Sequence, residues 1–171
     1  LKPDINKSET KFTVDNGKIR FGLGSIKNVG VAAVNAVVEE RQKNGEYKSF
    51  TGNMSGMLIA EYLLREKTKT GTMPENPALV KTIVTTNMAD VMTKAYNVKE
   101  IEVLTGFKYI GEQIKLFEQN HTYNYVFGLE ESYGCLAGTH ARDKDAVVAV
   151  MCLCEVAAYC KKNGITLWDQ M

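Results

Sequence analysis

Between residues 78 and 163, short apolar runs alternate with amphipathic stretches, and this alternation restricts the possible folds more than any other feature. The apolar runs are ALVKTIVTT at 78–86, KEIEVL at 99–104 and the segment 124–128. Apolar residues at helical spacing separate or follow them, over residues 88–96, 109–118 and 144–163. Strands that alternate with helices through short loops predict a mainly parallel sheet with helices on both faces, a three-layer α/β/α domain.

The first 50 residues follow a different pattern. Residues 11–23 alternate apolar and polar side chains on both sides of Asn16-Gly17, a dipeptide that favours the tight turn of a β-hairpin. A glycine-rich turn comes next, and then valines at helical spacing predict a helix that ends near Gly45. We therefore predict an α/β protein with a domain at 51–171 and an N-terminal β-hairpin plus helix at 1–50.

The hairpin and helix are expected to pack against the larger domain or to add strands to the edge of its sheet. Either arrangement would remove the apolar side chains of the segment from water, which stabilises a fold by about 25 cal/mol per Å² of buried apolar surface. The residues expected to be buried against the larger domain are Val14, Ile19, Phe21, Ile26, Val34, Val37 and Val38.

Composition excludes several classes of protein. The chain has 171 residues, 44% of them hydrophobic, which is enough for a core of ordinary size, and its net charge of +1 gives no general attraction to nucleic acid. A membrane-spanning run and a signal-peptide pattern are both missing, so the sequence predicts a soluble cytoplasmic protein without a membrane partner. The four cysteines lack the spacing of zinc ligands and are expected to be free thiols.

Polar residues collect where two of the predicted strands end. Ligands of parallel sheets bind beyond the carboxyl ends of the strands, and the segments 105–111 and 128–145 both leave that edge. Glu130 and Glu131 are adjacent, so in an extended loop their side chains point in opposite directions and only one reaches a given ligand. A single carboxylate beside the Ser132 hydroxyl suits the hydroxyls of a sugar ring. The alternative is a charged surface loop in which one glutamate caps the next helix.

Three basic residues, His140, Arg142 and Lys144, come shortly before the last predicted helix. Cations and the backbone N–H groups of a helix start favour an anion such as phosphate. In the alternative interpretation Asp143 caps the helix and the cations are solvated. A hydrolase that uses Ser132 and His140 is disfavoured, because the Gly-x-Ser-x-Gly pattern is missing.

The stretches TGNMSGMLIAEYLL, PALVKTIVTT, LTGFKYIGEQIK, FGLEESYG and RDKDAVVAVMCLCEVAAYCKKNGITLWD occur in that order. Together they resemble the third domain of bacterial phosphoglucomutases and phosphomannomutases, the alpha-D-phosphohexomutase family. The resemblance implies that EESYG is a sugar-recognition loop in which Glu130 and Ser132 contact sugar hydroxyls. It also places Thr105, Gly106 and Lys108 in a neighbouring loop, and Arg142 and Lys144 in a basic segment that faces the active site.

In that family, phosphate moves between the 1- and 6-hydroxyls of a hexose through a phosphoserine, with magnesium held by an Asp-x-Asp-x-Asp loop. Neither a serine loop of that kind nor an aspartate triplet occurs in this sequence. Phosphoryl transfer depends on positioning the donor group and neutralising its charge. We therefore expect a fragment without catalytic residues, metal or cofactor that binds hexose phosphate weakly. The sequence predicts no oligomeric state.

Residues 1–50 resemble a segment of the bacterial DNA polymerase III alpha subunit, through KPDINKSETKFTV, GKIRFGLGSIKNVG and AVNAVVEERQKNGEYKSF. IKNVG is similar to a helix-hairpin-helix turn, in which Lys27 and the Gly30 backbone could contact a DNA phosphate weakly. Packing, with Gly30 admitting a close helix, is the favoured role. The chain is thus expected to be a chimera joined within residues 44–51. A weak nucleic-acid-binding module and a recombined fold with no ligand are the alternatives.

Overall fold

A computed structural model describes residues 1–171, and the chain divides into two compact units, Leu1–Ser49 and Phe50–Met171. We call them the N-terminal unit and the C-terminal unit. Each unit contains at least one cluster of buried apolar side chains of its own.

The N-terminal unit begins with a β-hairpin, as the sequence predicts. Strands β1 (Thr13–Asp15) and β2 (Lys18–Arg20) pair antiparallel around Asn16 and Gly17. The φ angles of Asn16 and Gly17, 50° and 75°, are the left-handed values that this turn requires. A 3-10 turn (Leu23–Ser25) leads to helix α1 (Val31–Asn44), and the helix ends at a glycine, as predicted.

The apolar residues of the N-terminal unit are buried less completely than expected. Val34 and Val38 are buried, but they pack with Leu23 of the same unit, and Val37 is only partly buried beside them. The other residues predicted to be buried are exposed: Val14, Ile19, Phe21 and Ile26. The prediction was wrong for these four. The hairpin forms a two-stranded sheet of its own rather than an edge of the larger sheet, so no second layer covers its short strands.

The C-terminal unit alternates helices and strands. Its elements are α2 (Gly52–Thr70), β3 (Pro77–Thr82), α3 (Met88–Ala95), β4 (Lys99–Val103), α4 (Phe107–Asn120), β5 (Asn124–Leu129), β6 (Cys135–Ala137), α5 (Ala146–Lys162) and α6 (Leu167–Gln170). The first predicted strand is shorter than its β-branched run, because the chain turns at residues 83–86 towards α3. Strand β6 was not predicted, because it is only three residues long and lies inside a polar segment.

The sheet has the order β4-β3-β5-β6. Strands β3, β4 and β5 are parallel, and β6 runs antiparallel to β5. Apolar side chains from α2, α3 and α5 pack on one face, and those from α4 pack on the other. This arrangement confirms the predicted three-layer fold and explains why β3 is buried on both faces. Because these three strands are parallel, the carboxyl ends of β3, β4 and β5 lie at one edge of the sheet.

All four cysteines are free thiols, in agreement with the sequence. Cys135, Cys152 and Cys160 are buried, and Cys154 is exposed on α5. Burial raises the pKa of the Cys135 thiol to about 11, so this thiol remains protonated and behaves as an apolar core group.

Candidate functional site

The loop Glu130–Gly134 joins β5 to β6 at the edge where the parallel strands end. The Glu130 amide donates to the Gly134 carbonyl at 2.8 Å, which closes the loop. Tyr133 adopts a left-handed φ of 70°. Because residues other than glycine seldom take that conformation, contacts from elsewhere in the unit must hold the loop.

The start of α2 supplies these contacts. A Cβ atom at Gly52 would overlap the Glu131 carbonyl oxygen and lie 2.6 Å from the Tyr133 amide nitrogen. Only glycine therefore lets the helix approach the loop this closely. The Tyr133 hydroxyl also donates to the Phe50 carbonyl at 3.1 Å. The segment TGN thus has a physical role beside the loop, because its glycine fixes the position of the loop backbone.

The two adjacent glutamates of the loop have different surroundings. The Glu131 carboxylate accepts a 3.4 Å hydrogen bond from the Thr82 hydroxyl at the end of β3. The Glu130 carboxylate lies over Gly134, where a Cβ atom would come 2.8 Å from Glu130 Oε2 and 2.9 Å from Lys144 Cδ. Gly134 therefore leaves the space in which the Glu130 carboxylate and the Lys144 stem lie close together.

Glu130 is largely buried and lies at the wall of a cleft. The residue as a whole is only 6% exposed, and its carboxylate borders a cleft rather than belonging to the buried polar atoms without a partner, which are on Lys81, Asp90 and Glu100. A carboxylate at the wall of a cleft can accept hydrogen bonds from sugar hydroxyls. A cleft of about 220 Å³ opens beside it, with Glu130, Tyr133 and Gly134 along one side and mostly apolar residues of α2 and α5 along the other.

The loop that follows β4 adjoins the same place. Gly106, with a φ of 124°, precedes α4, whose first residue Phe107 is buried. The Phe107 ring would lie 3.6 Å from a Cβ at Gly134, and Lys144 Nζ is 5.8 Å from the centre of that ring. Thr105, in this loop, and Lys108, in the first turn of α4, are exposed. Lys108 Nζ lies 4.7 Å from the Tyr109 ring centroid. Ser132 is exposed at the tip of the neighbouring loop.

Two of the three basic residues expected near a phosphate are engaged elsewhere. The Arg142 guanidinium donates to both carboxylate oxygens of Glu118 at 2.7 Å, close to the far end of α4. His140 Nε2 lies 3.0 Å from Asp145 Oδ2. Lys144 is the basic residue of this segment that approaches Glu130. The structure therefore does not bring His140, Arg142 and Lys144 together.

Helix α5 is capped by Asp145 rather than by Asp143, so the alternative interpretation of this segment named the wrong residue as the cap. Asp145 Oδ1 accepts from the amides of Val147 and Val148 at 2.9 and 3.1 Å. The hydrogen bond with His140, followed by those amide bonds, lowers the pKa of the Asp145 carboxyl. Both aspartates precede the helix. Asp145 is the cap because the helix begins at Ala146, the residue that follows it.

The side chains include no group of three or more His, Cys, Asp or Glu residues that could hold a metal ion. No helix is both long and apolar enough to cross a membrane.

In the N-terminal unit, Lys27 and Gly30 are both exposed near the start of α1. A Cβ atom at Gly30 would meet nothing within 4 Å. The interpretation that Gly30 admits a closely packed helix was therefore wrong. Asn28, with a φ of 66°, is the residue of this turn that takes the left-handed conformation.

Sequence reasoning missed a charged cluster on strand β3. Lys81 is fully buried, and its Nζ lies 3.0 Å from Asp90, 3.0 Å from Glu102 and 3.6 Å from Glu100. Burial alone would lower the pKa of Lys81, but the three carboxylates raise it above its ordinary value. Burial, followed by a hydrogen bond with Asp90, raises the pKa of Glu100 to about 7. The available signal was a lysine inside an apolar run and the alternation Glu-Ile-Glu in the next strand.

Comparison with known proteins gives two family matches. Residues 51–171 match the family model for phosphoglucomutase/phosphomannomutase, alpha/beta/alpha domain III, and residues 1–58 match the model for a helix-hairpin-helix motif. The second is a general motif, and it does not show the resemblance to the polymerase subunit.

Curated relatives support the first match. The chain is 32% identical over 168 residues to a phosphomannomutase of Mycoplasmoides pirum, an alignment that covers 98% of this chain and 27% of that protein. It is 36% identical over 134 residues to a phosphoglucomutase of Staphylococcus epidermidis, covering 78% of this chain and 23% of that protein. This chain thus spans about a quarter of the length of these relatives.

A solved structure shares the fold. A crystal structure from Thermus thermophilus, assigned as a phosphomannomutase, superimposes with a TM-score of 0.56 at 22% identity. The superposition covers 71% of this chain and 24% of the other.

Proposed function

Because the chain belongs to the phosphoglucomutase/phosphomannomutase family through its α/β/α domain III, we propose that the C-terminal unit recognises the sugar of a hexose phosphate. Glu130 accepts hydrogen bonds from ring hydroxyls, and Ser132, at the tip of the same loop, exchanges a hydrogen bond with a neighbouring hydroxyl. The relatives are mutases by name, and the transfer of sugar binding to this chain is the proposal.

The observation that carries the proposal is the position of Glu130, a residue only 6% exposed that lines the cleft between its loop and helices α2 and α5. Its loop is held from two sides, by Gly52 and by the hydrogen bond from Tyr133 to Phe50. A carboxylate in a loop that is already ordered loses little conformational entropy on binding. Two hydroxyls on adjacent ring carbons can both donate hydrogen bonds to one carboxylate. A side-chain amide, which is neutral, and a lysine, which accepts no hydrogen bond, would bind these two hydroxyls less well.

In this proposal the phosphate of the ligand lies near Lys144, Lys108 and Thr105. Lys144 lies beside Glu130, and Lys108 and Thr105 are exposed on the loop and helix that adjoin it. The α4 amides that follow Gly106 add the partial positive charge of a helix start. We assign Lys144 and Lys108 to charge neutralisation.

His140 and Arg142 remain supporting residues in the same proposal. They hold the segment before α5 through Asp145 and Glu118. A contact with the ligand would require either side chain to exchange its present partner for phosphate.

We further propose that this chain binds its ligand weakly and does not transfer phosphate by itself. The support is chemical: the sequence contains neither the serine loop nor the aspartate triplet that the family reaction needs. A coupled assay for conversion of glucose 1-phosphate to glucose 6-phosphate tests it, and sustained turnover by the purified chain would refute it.

Amide chemical shifts of the full chain, recorded while glucose 6-phosphate or glucose 1-phosphate is added to millimolar concentration, test sugar binding. We expect shifts at residues 130–134 and at Lys144. Glu130→Gln should weaken binding about tenfold or more, because an amide replaces an ionised acceptor. Glu131→Gln is the matched control, since that carboxylate bonds to Thr82, and it should bind normally. An unchanged spectrum of the original chain at residues 130–134 would refute the proposal.

We retain the proposal that residues 1–50 share an origin with a polymerase III alpha segment, which would make the chain a chimera. The general helix-hairpin-helix match is compatible with this proposal, whereas the Mycoplasmoides pirum alignment, which covers nearly the whole chain, weighs against it. The geometry does not favour nucleic-acid binding, because Lys27 is the one cation in the turn before α1. A labelled DNA duplex that binds at low salt would change that assessment.

A further inference from the structure

Two buried threonines lie at the end of strand β3, next to the loop Glu130–Gly134, which we call the recognition loop. Thr82 is the last residue of β3 and is fully buried, and Thr85, three residues later, is 3% exposed. The Thr85 amide donates to the Thr82 carbonyl at 2.9 Å, which closes the turn between them. Burying a hydroxyl is costly unless it forms hydrogen bonds, so the partners of these two side chains indicate their role.

The two hydroxyls form a chain of hydrogen bonds that ends on Glu131. Their oxygens lie 2.8 Å apart, and Thr82 Oγ1 lies 3.4 Å from Glu131 Oε2. An ionised carboxylate only accepts hydrogen bonds, and each hydroxyl has a single hydrogen to donate. Thr82 therefore donates to Glu131, and Thr85 donates to Thr82. Through this chain, the recognition loop is hydrogen-bonded to the end of a central strand of the sheet.

The end of β3 is a rigid attachment point for the loop. Strand β3 lies between β4 and β5 in the sheet, and Thr82 is paired with Val103 of β4. The turn that follows is tied to the start of α2, because the Thr86 amide donates to Asn53 Oδ1 at 3.1 Å. The start of α2 also contacts the recognition loop through Gly52. The turn after β3, the start of α2 and the recognition loop thus hold one another in place.

The position of Glu131 determines the side to which Glu130 points. Neighbouring side chains of an extended segment point in opposite directions. Glu130 lines the cleft between the recognition loop and helices α2 and α5, whereas Glu131 is turned to Thr82 and does not line that cleft. A Glu131 side chain that is held at the end of β3 therefore keeps Glu130 turned towards the cleft.

We propose that Thr82 and Thr85 are positioning residues for sugar recognition, which hold Glu131 and so keep the recognition loop in the conformation that presents Glu130 to the ligand. This inference rests on the proposed sugar site and adds two buried residues that do not themselves contact the ligand. A loop that is ordered before the ligand arrives binds more tightly, because less conformational entropy is lost on binding.

Hydrogen exchange of the Glu130 amide tests the positioning without any sugar. This amide donates to the Gly134 carbonyl and closes the loop, so its exchange rate reports how often the loop opens. Thr82→Val nearly preserves the size of the side chain and removes the hydroxyl. It should accelerate the exchange of the Glu130 amide by about threefold to tenfold. Thr82→Ser retains the hydroxyl and should restore slow exchange.

Three variants verify that the effect passes through Glu131. Thr93→Val is the matched control, because Thr93 is 1% exposed and its hydroxyl donates to the Ala89 carbonyl within α3; it should leave the exchange of the Glu130 amide unchanged. Glu131→Ala should accelerate that exchange as Thr82→Val does, and the two together should add little, because both remove the same hydrogen bond. Glu131→Gln retains an oxygen acceptor and should behave like the original chain. Far-UV circular dichroism verifies that every variant is folded.

Titration with glucose 6-phosphate tests whether the position of the loop affects binding. Thr82→Val should weaken binding by about threefold to tenfold, and Thr82→Ser should bind like the original chain. The proposal would be overturned if Thr82→Val left either the Glu130 exchange rate or the affinity unchanged, or if it accelerated exchange equally when Glu131 is already alanine. Failure of the original chain to bind would refute the proposed function, and the exchange rates alone would then decide whether the threonines hold the loop.

Discussion

Replacing Glu100 with glutamine should reduce the dependence of stability on pH in the C-terminal unit. The Glu100 side chain is 18% exposed, in the cluster around the fully buried Lys81. Burial, then the hydrogen bond with Asp90, raises its pKa from 4.5 to about 7. A carboxyl whose folded-state pKa is raised stabilises the fold fully below pH 4.5 and loses that contribution as the pH rises through about 7. The original chain should therefore be less stable at about pH 8 than at about pH 5.

The size of the effect follows from the pKa shift. One pKa unit is worth about 1.4 kcal/mol, so full expression of the Glu100 shift would cost about 3 kcal/mol. Partial exposure screens this, and we expect a loss of about 1 to 2 kcal/mol over that range. Asp90 does not enter, because its pKa is lowered, first by the hydrogen bond with Glu100, and its contribution is lost only as the pH falls below 3.8.

Urea unfolding at the two pH values measures the effect, with the fluorescence of Trp168 as the signal. Trp168 is the chain's single tryptophan and lies in the C-terminal unit. Glu102→Gln is the matched control: Glu102 is also 3.0 Å from Lys81 but 49% exposed. Its variant should lose about 0 to 1 kcal/mol and keep most of the dependence on pH, because burial and Asp90 contribute more than Glu102 to the raised pKa of Glu100. If Glu100→Gln retained the same difference between the two pH values as the original chain, the burial argument would be refuted.

Two further substitutions test the geometry of the loop and of α5. Gly52→Ala should destabilise the C-terminal unit by about 1 to 3 kcal/mol, because the new Cβ overlaps the Glu131 carbonyl; urea unfolding checks it, and an unchanged midpoint would contradict the close approach. Asp145→Ala should lower the urea midpoint through loss of the cap on Val147 and Val148. Because the pKa of Asp145 is lowered, this decrease should shrink as the pH falls below 3.8, and a decrease independent of acid would contradict the assignment.

The alternation of strands and helices could be predicted from the sequence because it depends on local periodicity. Residues 78–82 are buried on both faces of the sheet, and a β-branched run is the direct sign of such a strand. The Asn16-Gly17 turn was equally predictable, since its φ angles suit few other residues. Strand β6 was not, because three residues in a polar segment form a strand only when β5 lies beside them.

The candidate site also has features that the sequence predicts and features that it does not. Its position at the ends of the parallel strands, and the presence of Glu130 and Lys144 there, follow from chain order and sheet topology. The sequence does not show that Arg142 turns to Glu118 or that Asp145 is the cap of α5. These outcomes depend on where a second segment lies, and a side chain takes whichever oppositely charged partner the fold brings within reach.

The amino-acid sequence by itself determined the three parallel strands, the long helices and the resemblance to the family, because these follow from neighbours along the chain. The tertiary structure alone decided which polar groups are paired. It set Glu130 at the wall of a cleft, surrounded Lys81 with three carboxylates, and left one side of α5 uncovered. The physical reason is that burial and charge pairing depend on distances between residues far apart in sequence.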